Sequence, residues 1–231
     1  MAVTPEEVAG RLAAVRARIA EVAAGVGRRG EEVSLLPVSK THPVEYLAEV
    51  ARVTGVRHYG ENRPQELAAK AVACPDLEWV MIGPLQRNKA GLVAAHAGQF
   101  QALDSLRVAQ ALDRALQVVG RCLDVMVEVN TSGEAAKHGV APGEALELVR
   151  GLAVCSALRP VGLMTLAALG DESRVRGCFR ALRGVQGRLR DDGFDLPEMS
   201  MGMSDDFVWA VEEGSTLVRL GTAVFGPRVT R

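Results

Sequence analysis

Eight short apolar runs, each separated from the next by a longer stretch of helical periodicity, set the narrowest limit on what this chain can fold into. The runs fall at 33–39, 56–59, 78–82, 100–103, 123–129, 159–163, 197–200 and 216–220, with helical patterns near 43–53, 62–73, 86–96, 105–118, 142–155, 171–191 and 204–213 between them. Runs such as "LDVMVEVN" are apolar on both faces, the pattern of parallel strands covered by helices. Strand and helix alternate without a long linker, which predicts a (β/α)8 barrel. An open doubly wound sheet uses the same elements and is the rival. The 231 residues, 48% of them hydrophobic, suit one such barrel, and no composition break, repeat or low-complexity tract divides residues 1–231 into more than a single domain.

One helical pattern precedes the first run and is extra to the barrel. In "TPEEVAGRLAAVRARIAEVAAG", Thr4 is placed to cap the helix, Pro5 stands in its first turn and Glu7 completes a capping box. Val8, Leu12, Val15, Ile19 and Val22 alternate spacings of four and three and so form one apolar stripe, which predicts packing against the rest of the chain.

Charge and cysteine usage exclude several classes. With 27 basic and 28 acidic residues spread along the chain, the formal net charge is −1, leaving no footprint for nucleic acid or anionic lipid. Cys74, Cys122, Cys155 and Cys178 form no C-x-x-C pair and read as buried small hydrophobes in a reducing compartment. His42, His58, His96 and His138 lack metal-ligand spacing, so no metal site is expected. Glu6, Glu7, Arg11, Arg16 and Arg18 interrupt any signal-like stretch, and no segment reaches membrane-span length; a cytoplasmic protein is expected.

In a barrel, residues at the C-terminal ends of strands face the site. Here those are Lys40, Glu61 and Asn62 in "HYGEN", Gly83 in "IGPLQRNK", Asn130, Met164 and Thr165 in "GLMT", the run "SMGMS", and Arg219 with Gly221 and Thr222. A lysine just past a strand is ordinarily a solvated surface charge. Buried at a barrel mouth it would favour the neutral amine, which can attack a carbonyl and form a Schiff base. In "SMGMSDD" and "VRLGTAVFG", glycines and small hydroxyl residues between strand and helix leave backbone N–H groups for a phosphate, where barrels of this fold often bind one. The plainer reading makes Gly202 and Gly221 turn glycines and Ser204 an N-cap, and Asp205 and Asp206 oppose an anion unless turned to solvent. An amine at the first strand and a phosphate cradle at the last two become neighbours when the barrel closes. Pyridoxal 5′-phosphate, an aldehyde and a phosphate in one molecule, fits both, and so does the substrate of a sugar-phosphate aldolase. Trp79 and Trp209 read as core, and "ESRVRGCFRALRGVQGRLRDD" as a solvated helix with Val175, Phe179, Leu182, Val185 and Leu189 buried.

Seven motifs, "LLPVSKTHP", "HYGENRPQE", "IGPLQRNK", "VEVNTSGEAAKHG", "GLMTLA", "LPEMSMGMSDDF" and "GSTLVRLGTAVFG", resemble in order those of the pyridoxal-phosphate homeostasis proteins of YggS/PROSC type. That family's fold is like the N-terminal barrel of alanine racemase. The resemblance implies that Lys40 holds the cofactor as a Schiff base, that Asn62 lies beside its ring, that Ser200, Met201, Gly221 and Thr222 bind its phosphate, and that Arg219 meets the pyridine nitrogen. It implies a non-catalytic role in intracellular cofactor homeostasis, without established turnover, and apo forms of cofactor-dependent enzymes as prospective recipients. The alternatives are a cofactor-dependent amino-acid racemase or aldolase, and a cofactor-free Schiff-base aldolase. Alanine racemase draws its second proton donor from a C-terminal β-domain, for which this chain, ending at Arg231, leaves no room, and without which a monomer is expected. An arginine at the pyridine nitrogen also makes the ring a weaker electron sink than a carboxylate would. "WVMIG" and "LQRNK" depart from the family's W-H-F-I-G and Q-S-N-K at Val80 and Arg87, and no role is assigned to the loop from Trp79 to Lys89.

Overall fold

The computed structural model describes residues 3–227. Eight strands, all parallel, form one sheet: β1 (Ser34–Pro37), β2 (His58–Glu61), β3 (Glu78–Met81), β4 (Gln99–Leu103), β5 (Leu123–Glu128), β6 (Leu158–Met164), β7 (Glu198–Ser200) and β8 (Leu217–Leu220). Their order is β1-β8-β7-β6-β5-β4-β3-β2. The ends of this sheet meet, because Val38 bridges Gly60 in parallel sense and the Ser39 N–H donates to the Gly60 carbonyl at 3.0 Å. The rival open sheet is thereby excluded, and the fold is the predicted (β/α)8 barrel.

After β1 to β7 come α2 (Val44–Thr54), α3 (Pro64–Ala73), α4 (Ala90–His96), α5 (Leu106–Val119), α6 (Ala145–Gly151), α7 (Glu172–Asp191) and α8 (Phe207–Glu212). The extra helix α1 (Pro5–Gly25) precedes them all. Its capping box forms as expected, and its stripe from Val8 to Val22 is buried, each such side chain contributing roughly 1.5–3 kcal/mol. The stripe on α7 is likewise buried.

Where boundaries differ from expectation, local chemistry explains it. The helix expected from 62 begins at Pro64, because proline holds the preceding Arg63 extended (φ −122°, ψ 126°), leaving Asn62 in a loop. The 142–155 pattern shortens to α6 and a 3-10 turn over Leu152–Val154, and the 86–96 pattern opens with a 3-10 turn over Arg87–Lys89. The helix expected from 204 is delayed to Phe207 by a turn over residues 204–206, in which the Asp206 N–H donates to the Met203 carbonyl at 3.1 Å. A short helix, α9 (Thr222–Phe225), was not expected. Cys155 and Cys178 are buried, but Cys122 is exposed and Cys74 half-buried, which corrects the reading of all four as buried. Trp79 lies in the core, whereas Trp209 is half-buried against it. Among the described residues no helix is long and apolar enough to cross a membrane.

Candidate functional site

The C-terminal strand ends bring Lys40, Asn62, Arg219, Gly221 and Thr222 to one mouth. Lys40 follows the Val38–Gly60 bridge and is half-buried. On its other side the Val38 N–H donates to the Leu220 carbonyl at 2.9 Å, so Gly221 and Thr222 leave the sheet beside it. Thr41 has φ +72°, alone in that region among the described non-glycine residues. A β-branched residue there costs on the order of 1–3 kcal/mol and persists only where its surroundings hold it.

What holds it is a buried cluster behind Lys40. The Thr41 N–H donates to Glu66 Oε1 at 2.7 Å, and Lys70 Nζ donates to the same oxygen at 2.8 Å. Lys70 Nζ also donates to Glu61 Oε1 (2.6 Å) and to the Ser39 carbonyl (3.0 Å), while Ser39 Oγ donates to Glu61 Oε1 at 2.6 Å. All three ammonium hydrogens are thus committed. Burial raises the pKa of Glu61, opposed by the bonds from Lys70 and Ser39. Burial also pushes Glu66 upward, but its bonds from Lys70 and the Thr41 N–H outweigh that and hold it below its ordinary value. Burial and the Lys70 charge lower the pKa of His42 against the opposing charge of Glu66, and its ring packs 4.7 Å from Phe225 and 5.7 Å from Tyr46.

Asn62 depends on Gly83 in the β3 loop. A Cβ on Gly83 would stand 2.2 Å from the Asn62 carbonyl oxygen, so only glycine permits that approach.

Beneath the mouth lies Arg219, 3% exposed. One guanidinium nitrogen donates to Ser200 Oγ and another to the Thr165 carbonyl at 2.8 Å. Among the described residues no carboxylate lies within ion-pair distance of it. Burial lowers its pKa to about 10, against the opposing charges of Glu128 and Asp206. Glu128, 3% exposed with Oε2 unpartnered, is raised to about 7 by burial and the charge of Asp104.

Around the proposed phosphate cradle, Ser204 does not cap α8; its Oγ accepts the Ala223 N–H at 3.1 Å and ties the β7 loop to α9. Asp205 is exposed, while Asp206 turns back to accept the Met203 N–H at 2.6 Å. The Ser200 hydroxyl donates to Gln101 Oε1 at 2.7 Å and the Met201 N–H to the Leu217 carbonyl at 3.1 Å. The Ser200 hydroxyl is spent across the barrel interior and the Met201 N–H within the barrel wall, so neither donor is left for the mouth.

The family model for the alanine racemase N-terminal domain matches residues 11–229. The chain is 39% identical over 224 residues to the pyridoxal phosphate homeostasis protein of Pseudomonas aeruginosa, covering 96% of each. It belongs to the pyridoxal phosphate homeostasis protein family. Among solved structures, PipY of Synechococcus elongatus with PLP bound is 32% identical, with a TM-score of 0.81, over 95% of this chain and 100% of that one. D-threonine aldolase of Filomicrobium marinum, at 20% identity and a TM-score of 0.73 over 96% of this chain and 61% of its own, shares the fold.

Within this homeostasis-protein barrel the two departures from the family's motifs are unlike. Val80 is a buried β3 residue, whereas Arg87 is exposed in a 3-10 turn. Sequence reasoning did not find Glu66, Lys70, Gln101 or Glu128. Glu66 and Lys70, four apart on α3, have the spacing of a solvated surface pair, and only packing against the end of β1 buries the lysine.

Proposed function

We propose that the chain binds pyridoxal 5′-phosphate at this mouth as a Schiff base on Lys40 and serves intracellular cofactor homeostasis as a non-catalytic, monomeric, cytoplasmic protein. The observation that carries the reading is the adjacency of Lys40 to Gly221 and Thr222 across the β1–β8 junction, a primary amine beside the strand exit best placed to cradle a phosphate. The relatives' names and the PLP in PipY support the choice of ligand. The residues fit it: a buried arginine without a carboxylate beside it suits a neutral ring nitrogen, and Gly221 leaves its backbone open, since a Cβ there would meet nothing nearer than the Val38 oxygen at 3.7 Å.

In this reading Lys40 would hold the cofactor covalently through its side-chain amine, as a Schiff base. Thr41, pinned by Glu66, aims the lysine; Asn62 flanks the ring; Arg219 faces the pyridine nitrogen. The N–H groups of Gly221 and Thr222 hold the phosphate. Ser200 and Met201 form the floor beneath it, because their donors are spent on Gln101 and Leu217. Bound cofactor supplies an electrophilic carbon and an electron sink, and the sink is weak beside a charged arginine.

The purified, cofactor-loaded protein is expected to be yellow, and borohydride reduction followed by peptide mapping should place the label on Lys40. Lys40→Ala should lose both colour and label while keeping the fold. A reducible label persisting in Lys40→Ala would overturn the assignment.

A further inference from the structure

The buried arginine lacks an adjacent carboxylate, yet a route of hydrogen bonds leads from it to one. Arg219 donates to Ser200 Oγ, Ser200 Oγ to Gln101 Oε1 (2.7 Å), Gln101 Nε2 to Gln99 Oε1 (2.7 Å), and Gln99 Nε2 to Glu198 Oε2 (3.3 Å). Gln99 and Gln101 stand on β4 and Glu198 and Ser200 on β7, strands separated in the sheet by β5 and β6, so these bonds cross the barrel interior. Gln101 and Ser200 are completely buried. The lower end reaches the N-terminal strand ends, where Gln99 lines a cleft of about 610 Å³ against α1.

We propose that Gln101 is a positioning residue for Arg219, the central link of a one-way hydrogen-bond chain that fixes the guanidinium at the cofactor's ring nitrogen. The direction follows from donor counting. Arginine can only donate, so Ser200 accepts from it and has one hydrogen left, which goes to Gln101. Each glutamine has one accepting and one donating end, so Gln101 must donate onward to Gln99, and Gln99 to Glu198. An ionised carboxylate can only accept, and it therefore anchors the far end. Turning either amide over sets oxygen against oxygen at one of the links. Burial raises the pKa of Glu198, opposed by the Gln99 bond. Glu128 and Asp206, the acids nearest Arg219 in effect, are not bonded to it, so orientation is left to Ser200 and the Thr165 carbonyl.

This inference rests on the proposed placement of the ring at Arg219, and the test separates the two. In the cofactor-free protein, the nitrogen NMR signals of the Arg219 guanidinium should show slow rotation, become fast in Gln101→Leu, and slow again in Gln101→Glu, which restores an acceptor to Ser200. In the loaded protein, Gln101→Leu should weaken pyridoxal 5′-phosphate about tenfold, the size expected for losing one buried bond to a charged group. It should also shift the resonance of a nitrogen-15-labelled ring, whereas a change in general stability would leave that resonance in place. Gln99→Leu, cut one link lower, serves if Gln101→Leu does not fold. Unchanged guanidinium rotation in a folded variant overturns the chain, whatever the cofactor does. Altered rotation with an unmoved ring resonance overturns the link to the cofactor. A wild-type label on a lysine other than Lys40 would instead fault the placement of the ligand, with the cofactor-free measurement still deciding whether the chain holds Arg219.

Discussion

Thr41 and Glu128 show how differently single residues reveal a site. The strain at Thr41 is local and costs stability wherever it occurs; that Glu66 Oε1, already bonded to Lys70, also accepts the Thr41 N–H argues that the pose of Lys40 is worth that cost. Glu128 has no such partner, and its cost depends on pH. Its folded pKa, raised from the ordinary 4.5 to about 7, means that the folded cofactor-free protein binds this proton more tightly than the unfolded chain. Folding therefore takes up a proton between those values. The contribution is fully present below pH 4.5 and is lost as pH rises toward 7, amounting to about 3 kcal/mol across the window. Glu128→Gln should remove this slope and be the more stable protein at pH 8. Denaturant titrations of both proteins at pH 5 and pH 8 check it, and parallel profiles would show that Glu128 titrates normally. None of this was legible in "VEVN", where Glu128 is one polar residue in an apolar run and only the closed barrel desolvates it. The places of Lys40 and Gly221 just past strand ends were legible because the apolar runs of β1 and β8 stop immediately before them.

At the scale of elements, the strands were readable from apolar runs and the helices from their stripes, while the starts of α3 and α8 were not, since Pro64 and the turn over residues 204–206 override periodicity. Strand β4 misleads in another way. "QFQAL" alternates as a strand with one face in water would, yet Gln99 and Gln101 face into the barrel and the apolar residues lie under the helices. The junction of β8 and α9 yields a testable consequence. Gly221 has φ −98°, and an added Cβ meets only ordinary contacts, so nothing in the fold requires glycine there. In the proposed reading, glycine is needed there for the close approach of a phosphate to the backbone. Gly221→Val should leave thermal stability nearly unchanged and weaken pyridoxal 5′-phosphate far more than unphosphorylated pyridoxal. Equal losses for both ligands, measured by absorbance titration, would move the phosphate elsewhere.

At the scale of the whole molecule, the proposed reading has the barrel hold a cofactor rather than use one. Every proposed ligand contact comes from one end of a single closed sheet, where Lys40 is half-buried rather than fully enclosed. A carrier needs that arrangement, because its cofactor must leave. Mixed with an apo form of a cofactor-dependent enzyme, the loaded protein should therefore restore that enzyme's activity, and free amino acids should displace Lys40 from the cofactor. An enzyme needs more: a group that delivers and removes the Cα proton in step with turnover. Glu128, at the end of β5, is the buried acid whose pKa near 7 would suit that task, but it is 3% exposed and lies in the field of Arg219. Incubating the loaded protein with L- and D-amino acids in deuterated water distinguishes the cases by mass spectrometry and chiral analysis. Slow deuterium uptake without net product is expected, since attachment to the cofactor acidifies the Cα proton on its own. Conversion over many turnovers, abolished by Lys40→Ala and reduced by Glu128→Gln, would make the protein an enzyme and Glu128 its acid–base group.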